Sequence, residues 1–304
     1  MDRRHDFQSG AILLLVLWAI VVLSISVFAL LSTLEWNTSK FSLEAKRFKA
    51  YQWARSGLAY ALNPEVEMDS PLLTGEKTPE GYFEVKMKTE TSKLNINELL
   101  NIKNRPVLER LFTSWGIKDQ AQGKLIDRLM DWVDKDDLRL LNGAEKDDYE
   151  RQGMQARPRN GYFQSVEEIR LVIGAEELLN EAHPGWEDAF TVFGSGEIDI
   201  NRASGDVLTA YLNINQYQVE ALIEQRESLR KQNPESKGFE NLDQVRQILG
   251  MSPEQFKVFE GALILDSSIY DIESTGYTGD VRRVIRVVVN RAGTPGEYYL
   301  WQEK

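Results

Sequence analysis

The chain has 304 residues, 42% of them hydrophobic, which is enough for about two domains with cores of their own. It carries 36 Lys and Arg against 47 Asp and Glu, and this net charge of −11 argues against a protein that holds nucleic acid. Because there is no cysteine, the composition excludes disulfides, thiolate nucleophiles and cysteine-based metal centres. Only two histidines are present, which disfavours chemistry built on imidazole.

An uncharged apolar run fills residues 11–34, and 24 positions are enough to cross a bilayer as a helix. Two arginines among the first four residues predict a cytoplasmic N-terminus with the remainder exported. Beyond the run, apolar residues recur at spacings of three and four. The helix should therefore continue as an amphipathic half from residue 35 and end at Asn63-Pro64. A plain signal anchor is the alternative interpretation of this segment.

Two parts of the chain resemble each other. Lys93–Asn97 matches Glu197–Asn201, and Phe163–Gly174 matches Phe239–Gly250, a pattern that predicts two copies of one helical unit. The first copy contains 21 additional residues between its helices. The predicted helices lie near residues 105–115, 119–132, 165–173, 203–212, 216–231, 241–249 and 253–263.

Strand patterns flank the helical part. Residues 82–88 alternate between apolar and polar, and three further strands, 268–274, 281–291 and 297–302, are separated by glycine-containing turns. We expect the four strands to form one antiparallel sheet that packs on the amphipathic half of the first helix. The predicted fold class is α+β, with the helical units inserted between strands.

The additional residues of the first copy are strongly acidic. Residues 131–150 contain eight acidic and three basic side chains, so a counter-charge is expected. Asp134 and Glu145 occupy the first and twelfth positions of an EF-hand-length loop, but leucine and arginine at the fifth and sixth argue against an actual EF-hand. A looser Ca²⁺ site is predicted, with a solvated acidic loop as the alternative; the lack of nearby Cys or His disfavours zinc. The predicted ligands are Asp134, Asp136, Asp137, Glu145 and Asp148.

Two other functions fit the sequence less well. Paired short helices are typical of membrane-anchored helix-hairpin-helix DNA receptors, but the turn at Gly116 lacks a second glycine and the matching turn at 212–215 has none. Asp134, Asp136 and Glu145 could serve as the carboxylates of a glycosidase. Since neither a sugar-binding aromatic platform nor a nucleophile is evident, we predict that the chain is not an enzyme.

The N-terminal residues resemble a type IV prepilin-like leader: a short polar segment that ends in Gly10, then Ala11 and the apolar helix. The resemblance implies that a prepilin peptidase cuts between Gly10 and Ala11, and it leaves open whether Ala11 is then methylated. Most such subunits carry Glu at the fifth position after the cut, where this chain has Leu15. That departure suits a subunit at the end of a filament.

Motifs of the acidic segment extend the resemblance. Asp-Trp-x-Asp-x-Asp, then Gly-Ala-Glu-x-x-x-Tyr, Pro158–Asn160 and Phe163–Gly174 are together similar to the general secretion pathway protein K family. The resemblance implies a minor pseudopilin at the tip of the type II secretion pseudopilus. Such a subunit binds the I and J minor pseudopilins, initiates assembly and supports export of folded proteins. It also implies a single-pass inner-membrane protein with a periplasmic globular part and Ca²⁺ in its α domain.

The same resemblance implies a pilin-like body, a long helix packed on a sheet, that carries a large inserted α domain. The expected divisions are a leader (1–10), a membrane-spanning half-helix (11–34), the amphipathic half-helix with the first strands (35–97), an α domain (98–266, with repeats at about 93–175 and 197–265) and the last strands (267–304).

Overall fold

The computed structural model describes residues 5–233, 236–293 and 296–304, without the side chains of residues 5–12 and 32–39. Ten α-helices and eight strands occur in these ranges. In chain order they are α1 (His5–Leu62), β1 (Tyr82–Thr89), β2 (Leu94–Asn95), α2 (Ile96–Leu99), α3 (Arg105–Ser114), α4 (Asp119–Val133), α5 (Lys146–Arg151), α6 (Ala175–Ala182), β3 (Phe190–Thr191), β4 (Ile198–Asp199), α7 (Gly205–Leu212), α8 (Gln216–Gln232), α9 (Leu242–Leu249), α10 (Pro253–Phe256), β5 (Leu263–Ile264), β6 (Ile269–Thr278), β7 (Val281–Asn290) and β8 (Glu297–Glu303).

Helix α1 contains the predicted apolar segment. Leu13–Leu31 has a mean hydropathy of 2.9 and is 0% buried, so its length and composition fit a membrane crossing. The helix ends at Leu62, as the Asn63-Pro64 pair predicts, and it begins at His5 rather than at Ala11. The side chains at the predicted cleavage site, Gly10 and Ala11, lie outside the described residues.

The four long strands form one sheet in the order β1-β6-β7-β8, which confirms the predicted α+β fold class with a long N-terminal helix. Strands β7 and β8 are antiparallel, since Val284 and Lys304 exchange both backbone hydrogen bonds at 3.0 and 2.9 Å. Two-residue parallel pairs, β2 with β3 and β4 with β5, lie outside this sheet. These short pairs were not predicted from the sequence.

One compact unit comprises residues Met1–Lys86, Glu273–Arg286 and Gln302–Lys304. Within it, small residues allow the second half of α1 to lie directly on β6. A Cβ atom at Gly276 would lie 1.9 Å from the carbonyl oxygen of Ala50, and the Ser274 hydroxyl donates to the Ala54 carbonyl at 2.7 Å. Ala50 and Ala54 are fully buried at this contact. A larger side chain at either position would have no room between α1 and β6.

The other compact unit comprises Met87–Ile272 and Val287–Trp301 and contains the larger core. Its two similar segments make the same contacts. The Asn97 side chain hydrogen-bonds both backbone groups of Phe163, and the Asn201 side chain does the same with Phe239. In each copy, the asparagine is the last residue of the first matched stretch and the phenylalanine is the first residue of the second, so the pair joins the two stretches.

Two of the predicted helices are shorter or tighter than expected. Residues Val166–Leu171 form a 3₁₀-helix rather than an α-helix. There the Glu168 side chain accepts from the Gln164 N–H and pairs with Arg159, and Ser165 does not cap the helix. The last predicted helix is reduced to α10 and a 3₁₀-turn, Lys257–Phe259. The last residues of the two matched segments, Gly174 and Gly250, adopt positive φ angles of +71° and +65°. Gly250 is the C-cap of α9, and Gly174 directly precedes α6.

Candidate metal site

Two carboxylates of the candidate site come from the end of α4. Asp131 lies in the last helical turn with 0% of its surface exposed, and the Leu140 N–H donates to both of its oxygens at 3.2 Å. Asp134 follows the helix as its C-cap, where its own N–H donates to the Met130 carbonyl at 3.0 Å. The helix end therefore fixes both residues through their backbones.

The third carboxylate is Glu145, directly before α5. Its N–H donates to an oxygen of Asp148 at 3.0 Å, which sets the start of that helix, and the residue is 7% exposed. Within the described part of the chain, neither Glu145 carboxylate oxygen has a hydrogen-bond partner, and Asp134 Oδ1 has none either. Buried carboxylate oxygens without partners are costly unless a cation or proton compensates them.

Asp131, Asp134 and Glu145 each offer one oxygen, and these oxygens all lie within 4.8 Å of one another. Burial and the neighbouring carboxylates raise the pKa of Glu145 to about 7 and that of Asp134 to about 6. Burial also raises the pKa of Asp131. The three groups therefore repel one another and favour any bound positive charge.

Gly143 provides space beside these carboxylates. A Cβ atom at this position would lie 1.8 Å from Asp131 Oδ2, so only glycine allows the loop to pass this close to the buried side chain. Asn142 is held next to it, since its N–H and its side-chain amide both donate to Asp127 Oδ2, at 3.1 and 3.0 Å. The loop is thus folded tightly around Asp131.

The structure brings together two of the five ligands predicted from the sequence, Asp134 and Glu145. The other three have hydrogen-bond partners and lie outside the three-carboxylate group found among the described residues. Asp136 accepts from the Leu138 N–H at 2.8 Å, and Asp137 accepts from the Asn160 amide at 3.2 Å. Asp148 is an ion-pair partner of Arg139 and Arg151.

Asp131 is the residue that the sequence prediction missed. It was counted with the acidic segment 131–150 but was not named as a ligand. The signal for it was the Asp-Trp-x-Asp-x-Asp motif, whose first residue is Asp131. In the structure Asp131 lies one helical turn after Asp127, and both side chains are buried. A buried aspartate needs a partner.

These residues fit a hard divalent cation. Carboxylate and carbonyl oxygens are the ligands that Ca²⁺ prefers, and the group contains neither cysteine nor histidine. The unpartnered oxygens and the raised pKa values agree with a cation held by Asp131, Asp134 and Glu145.

The comparison with solved structures shows which fold the chain shares with known proteins. The fold matches a chain of the structure titled "The Crystal Structure of the GspK-GspI-GspJ complex from enterotoxigenic Escherichia coli Type 2 Secretion System" with a TM-score of 0.63, over 90% of this chain and 98% of that chain. At 18% sequence identity, this likeness establishes a shared fold.

The family follows from the sequence comparisons. Residues 92–183 match the model "Type II secretion system (T2SS), protein K". Type II secretion system protein K of Pseudomonas aeruginosa is 29% identical over 158 residues, which are 48% of this chain and 45% of that protein. The matched region thus spans about half the length of this relative. The resemblance to the type II secretion system protein K family is confirmed, and the family model matches residues 92–183.

Proposed function

We propose that this protein is a minor pseudopilin of type II secretion, located at the tip of the pseudopilus, where it initiates assembly and supports export of folded proteins. Its partners would be the I and J minor pseudopilins. The observation that carries the proposal is the combination of a pilin-like helix and sheet with an inserted unit whose residues 92–183 match protein K. The role is structural rather than enzymatic.

The sequence of α1 supports a membrane-anchored subunit at a filament end. Leu13–Leu31 would cross the inner membrane, with the N-terminus cytoplasmic and the globular part periplasmic. A prepilin peptidase would cut between Gly10 and Ala11. Other pseudopilins carry Glu at the position of Leu15, and that carboxylate would neutralise the N-terminus of a neighbouring subunit. A subunit at the end of the filament, with no neighbour above it, does not need this group.

The size of the inserted unit favours a single copy per filament. Most of the chain between β1 and β6 belongs to this unit, which has its own core. A subunit with so large an insertion would overlap its neighbours if it were repeated along a filament.

The test is the position of the protein on isolated pseudopili. We expect gold-labelled antibody against the inserted unit to mark one end of each filament. Labelling along the filament length would contradict the proposal. A Gly10→Val variant, which the peptidase should leave uncut, is the matched control. It should remain in the membrane fraction and give no labelled tips.

We further propose that the site formed by Asp131, Asp134 and Glu145 holds Ca²⁺ in a structural role. The ion would replace mutual repulsion with coordination and fix the loop that follows α4. Trp132 and Phe163, whose rings stack 6.1 Å apart, form the apolar core beside this loop. No catalytic step is assigned to the ion.

The calcium proposal is tested with the full chain in detergent micelles. Ca²⁺ should raise the melting temperature of the wild type, because a ligand bound only to the native state stabilises it by about 2.7 kcal/mol at a hundredfold excess over its Kd. Glu145→Gln should abolish that increase. Asp147→Asn, in the same acidic segment but outside the three-carboxylate group, should retain it. Equal melting temperatures of the wild type with Ca²⁺ and with chelator would contradict the site.

A further inference from the structure

The two outer edges of the four-stranded sheet differ in how they are protected. Along β1, the preceding segment covers the first half of the strand: the Gly75 N–H donates to the Phe83 carbonyl at 2.9 Å, and Thr74 bridges Glu84. Strand β8 is the last strand at the other side. Proteins commonly blunt exposed edges with such coverings, because an open edge pairs with other chains.

Strand β8 is exposed and rich in aromatic residues. Its sequence from Glu297 to Glu303 is EYYLWQE, and every residue except Leu300 is classed as exposed. Tyr298, Tyr299 and Trp301 expose 44%, 40% and 47% of their surfaces. No proline or lysine interrupts the strand, so two of the usual devices against edge pairing are missing from it.

The register of β8 shows which backbone groups face outwards. Lys304 exchanges both hydrogen bonds with Val284 of β7, and in an antiparallel pair this pattern recurs at every second residue. Leu300 and Tyr298 therefore direct their backbone groups towards β7. The N–H and C=O of Glu297 and Tyr299 point away from the sheet, where another strand could bind them.

A second copy of the same chain fits this edge poorly. Antiparallel pairing of two β8 strands through their outward groups, centred on Leu300, would place Glu297 opposite Glu303 at both ends. Like charges directly opposite each other destabilise a strand pair. Within the chain, the carboxylates of Glu297 and Glu303 accept from the Tyr299 and Tyr51 hydroxyls, each at 3.2 Å, and both keep their negative charge. Charge complementarity therefore favours a strand that carries Lys or Arg opposite these two residues, with β-branched or aromatic residues between them.

We propose that the β8 edge, residues 297–303, is a docking site for a β-strand of a different protein, with basic residues at the two ends of that strand. The partner strand would extend the sheet by main-chain hydrogen bonds to Glu297 and Tyr299. This inference does not depend on the proposed function, because it uses only the sheet order, the register and the charges of β8.

The experiment uses the full chain in detergent micelles and three fluorescently labelled heptapeptides. The first has the sequence KTVTVTK, the second has glutamate at both ends, and the third has proline at its centre. We expect KTVTVTK to bind about tenfold more tightly than the glutamate-ended peptide, because two opposite-charge pairs replace two like-charge pairs. Binding of KTVTVTK should also slow hydrogen exchange at the Glu297 and Tyr299 amides.

Two variants distinguish strand pairing at the β8 edge from non-specific peptide binding. Glu297→Lys changes an exposed side chain and should weaken KTVTVTK binding while it strengthens binding of the glutamate-ended peptide. Tyr217→Lys alters an 81%-exposed tyrosine of α8 and should change neither. The proposal is overturned if no peptide binds, if the proline peptide binds as well as KTVTVTK, or if Glu297→Lys leaves the preference unchanged. A dimer of the chain that Glu297→Lys alters would assign the edge to a second copy and would overturn it as well.

Discussion

The Asn97 side chain and the Phe163 backbone form two hydrogen bonds that join positions 66 residues apart. The Asn97 amide donates to the Phe163 carbonyl at 3.0 Å, and the Phe163 N–H donates to Asn97 Oδ1 at 2.9 Å. Asn201 makes the same two contacts with Phe239, at 3.0 and 2.7 Å. In each of the two similar segments, one asparagine side chain thus satisfies both backbone groups of a buried phenylalanine.

Loss of this asparagine should be costly. We expect Asn97→Ala to lower the free energy of unfolding by about 2–3 kcal/mol, because it leaves both backbone groups of Phe163 without partners. Asn97→Asp keeps the acceptor for the Phe163 N–H and should cost less than Asn97→Ala. Denaturant unfolding of both variants checks the order, and equal losses would show that the acceptor bond to the Phe163 N–H contributes nothing to stability.

Gly143→Ala tests the close approach of the loop to Asp131. An added methyl group would overlap Asp131 Oδ2, so we expect a loss of about 1–3 kcal/mol in unfolding free energy and no stabilisation by Ca²⁺. Gly161→Ala is the matched control, since a Cβ atom there meets nothing closer than 4.0 Å. A calorimetric titration that gives equal Ca²⁺ affinity for both variants would refute the role of Gly143.

The acidic site should make calcium stabilisation depend on pH. Burial and neighbouring carboxylates raise the pKa of Glu145 from 4.5 to about 7 and that of Asp134 from 3.8 to about 6. In the metal-free protein, the protonated carboxyl groups of Glu145 and Asp134 are more stable in the folded than in the unfolded chain. Their contribution to stability is complete below the ordinary pKa values of 4.5 and 3.8, and it is lost as the pH rises through about 7 and about 6.

The melting temperature of the calcium-free protein should therefore fall more steeply between about pH 5 and about pH 8 than that of the calcium-loaded protein. The gap between the two forms should be widest at the higher pH, because Ca²⁺ competes with protons for the same oxygens. Thermal melts at several pH values measure this gap. A gap that stays constant, or narrows as the pH rises, would contradict the assignment.

Gly276→Ala tests the contact between α1 and β6. A Cβ atom at this position would lie 1.9 Å from the Ala50 carbonyl, so the helix would have to move, at an expected cost of about 1–3 kcal/mol. Gly123→Ala within α4 is the control, because it meets only one atom at 3.9 Å and should stabilise its helix by up to about 1 kcal/mol. If both variants unfold at the same denaturant concentration, the close packing is not important for stability.

The sequence predicted the features that depend on local pattern. Apolar spacing and Asn63-Pro64 determine where α1 ends, and period-two alternation identifies β1 and the strands after residue 268. The two-residue strand pairs, such as Leu94 with Phe190, depend on contacts between distant segments and leave no periodic signal. Residues Val166–Leu171 form a 3₁₀-helix in which Glu168 pairs with Arg159, a contact that helix propensity does not contain.

The candidate site could be predicted only in part, because its geometry also depends on contacts between residues distant in sequence. An excess of acidic residues indicated the loop, and two of the predicted ligands, Asp134 and Glu145, offer oxygens within 4.8 Å of each other. Spacing could not separate them from Asp136 and Asp148, whose oxygens are used by the Leu138 N–H and by arginines. Asp131 belongs to the same acidic segment but was not among the predicted ligands.

Assembly with the I and J pseudopilins of the same organism tests most directly our proposal that this chain is the K subunit of a minor pseudopilin complex. The three full-length proteins are co-expressed, extracted in detergent and measured by native mass spectrometry. We expect a ternary complex that contains one copy of each subunit. Recovery of an I–J complex without this chain, under conditions in which all three proteins are present and folded, would contradict it.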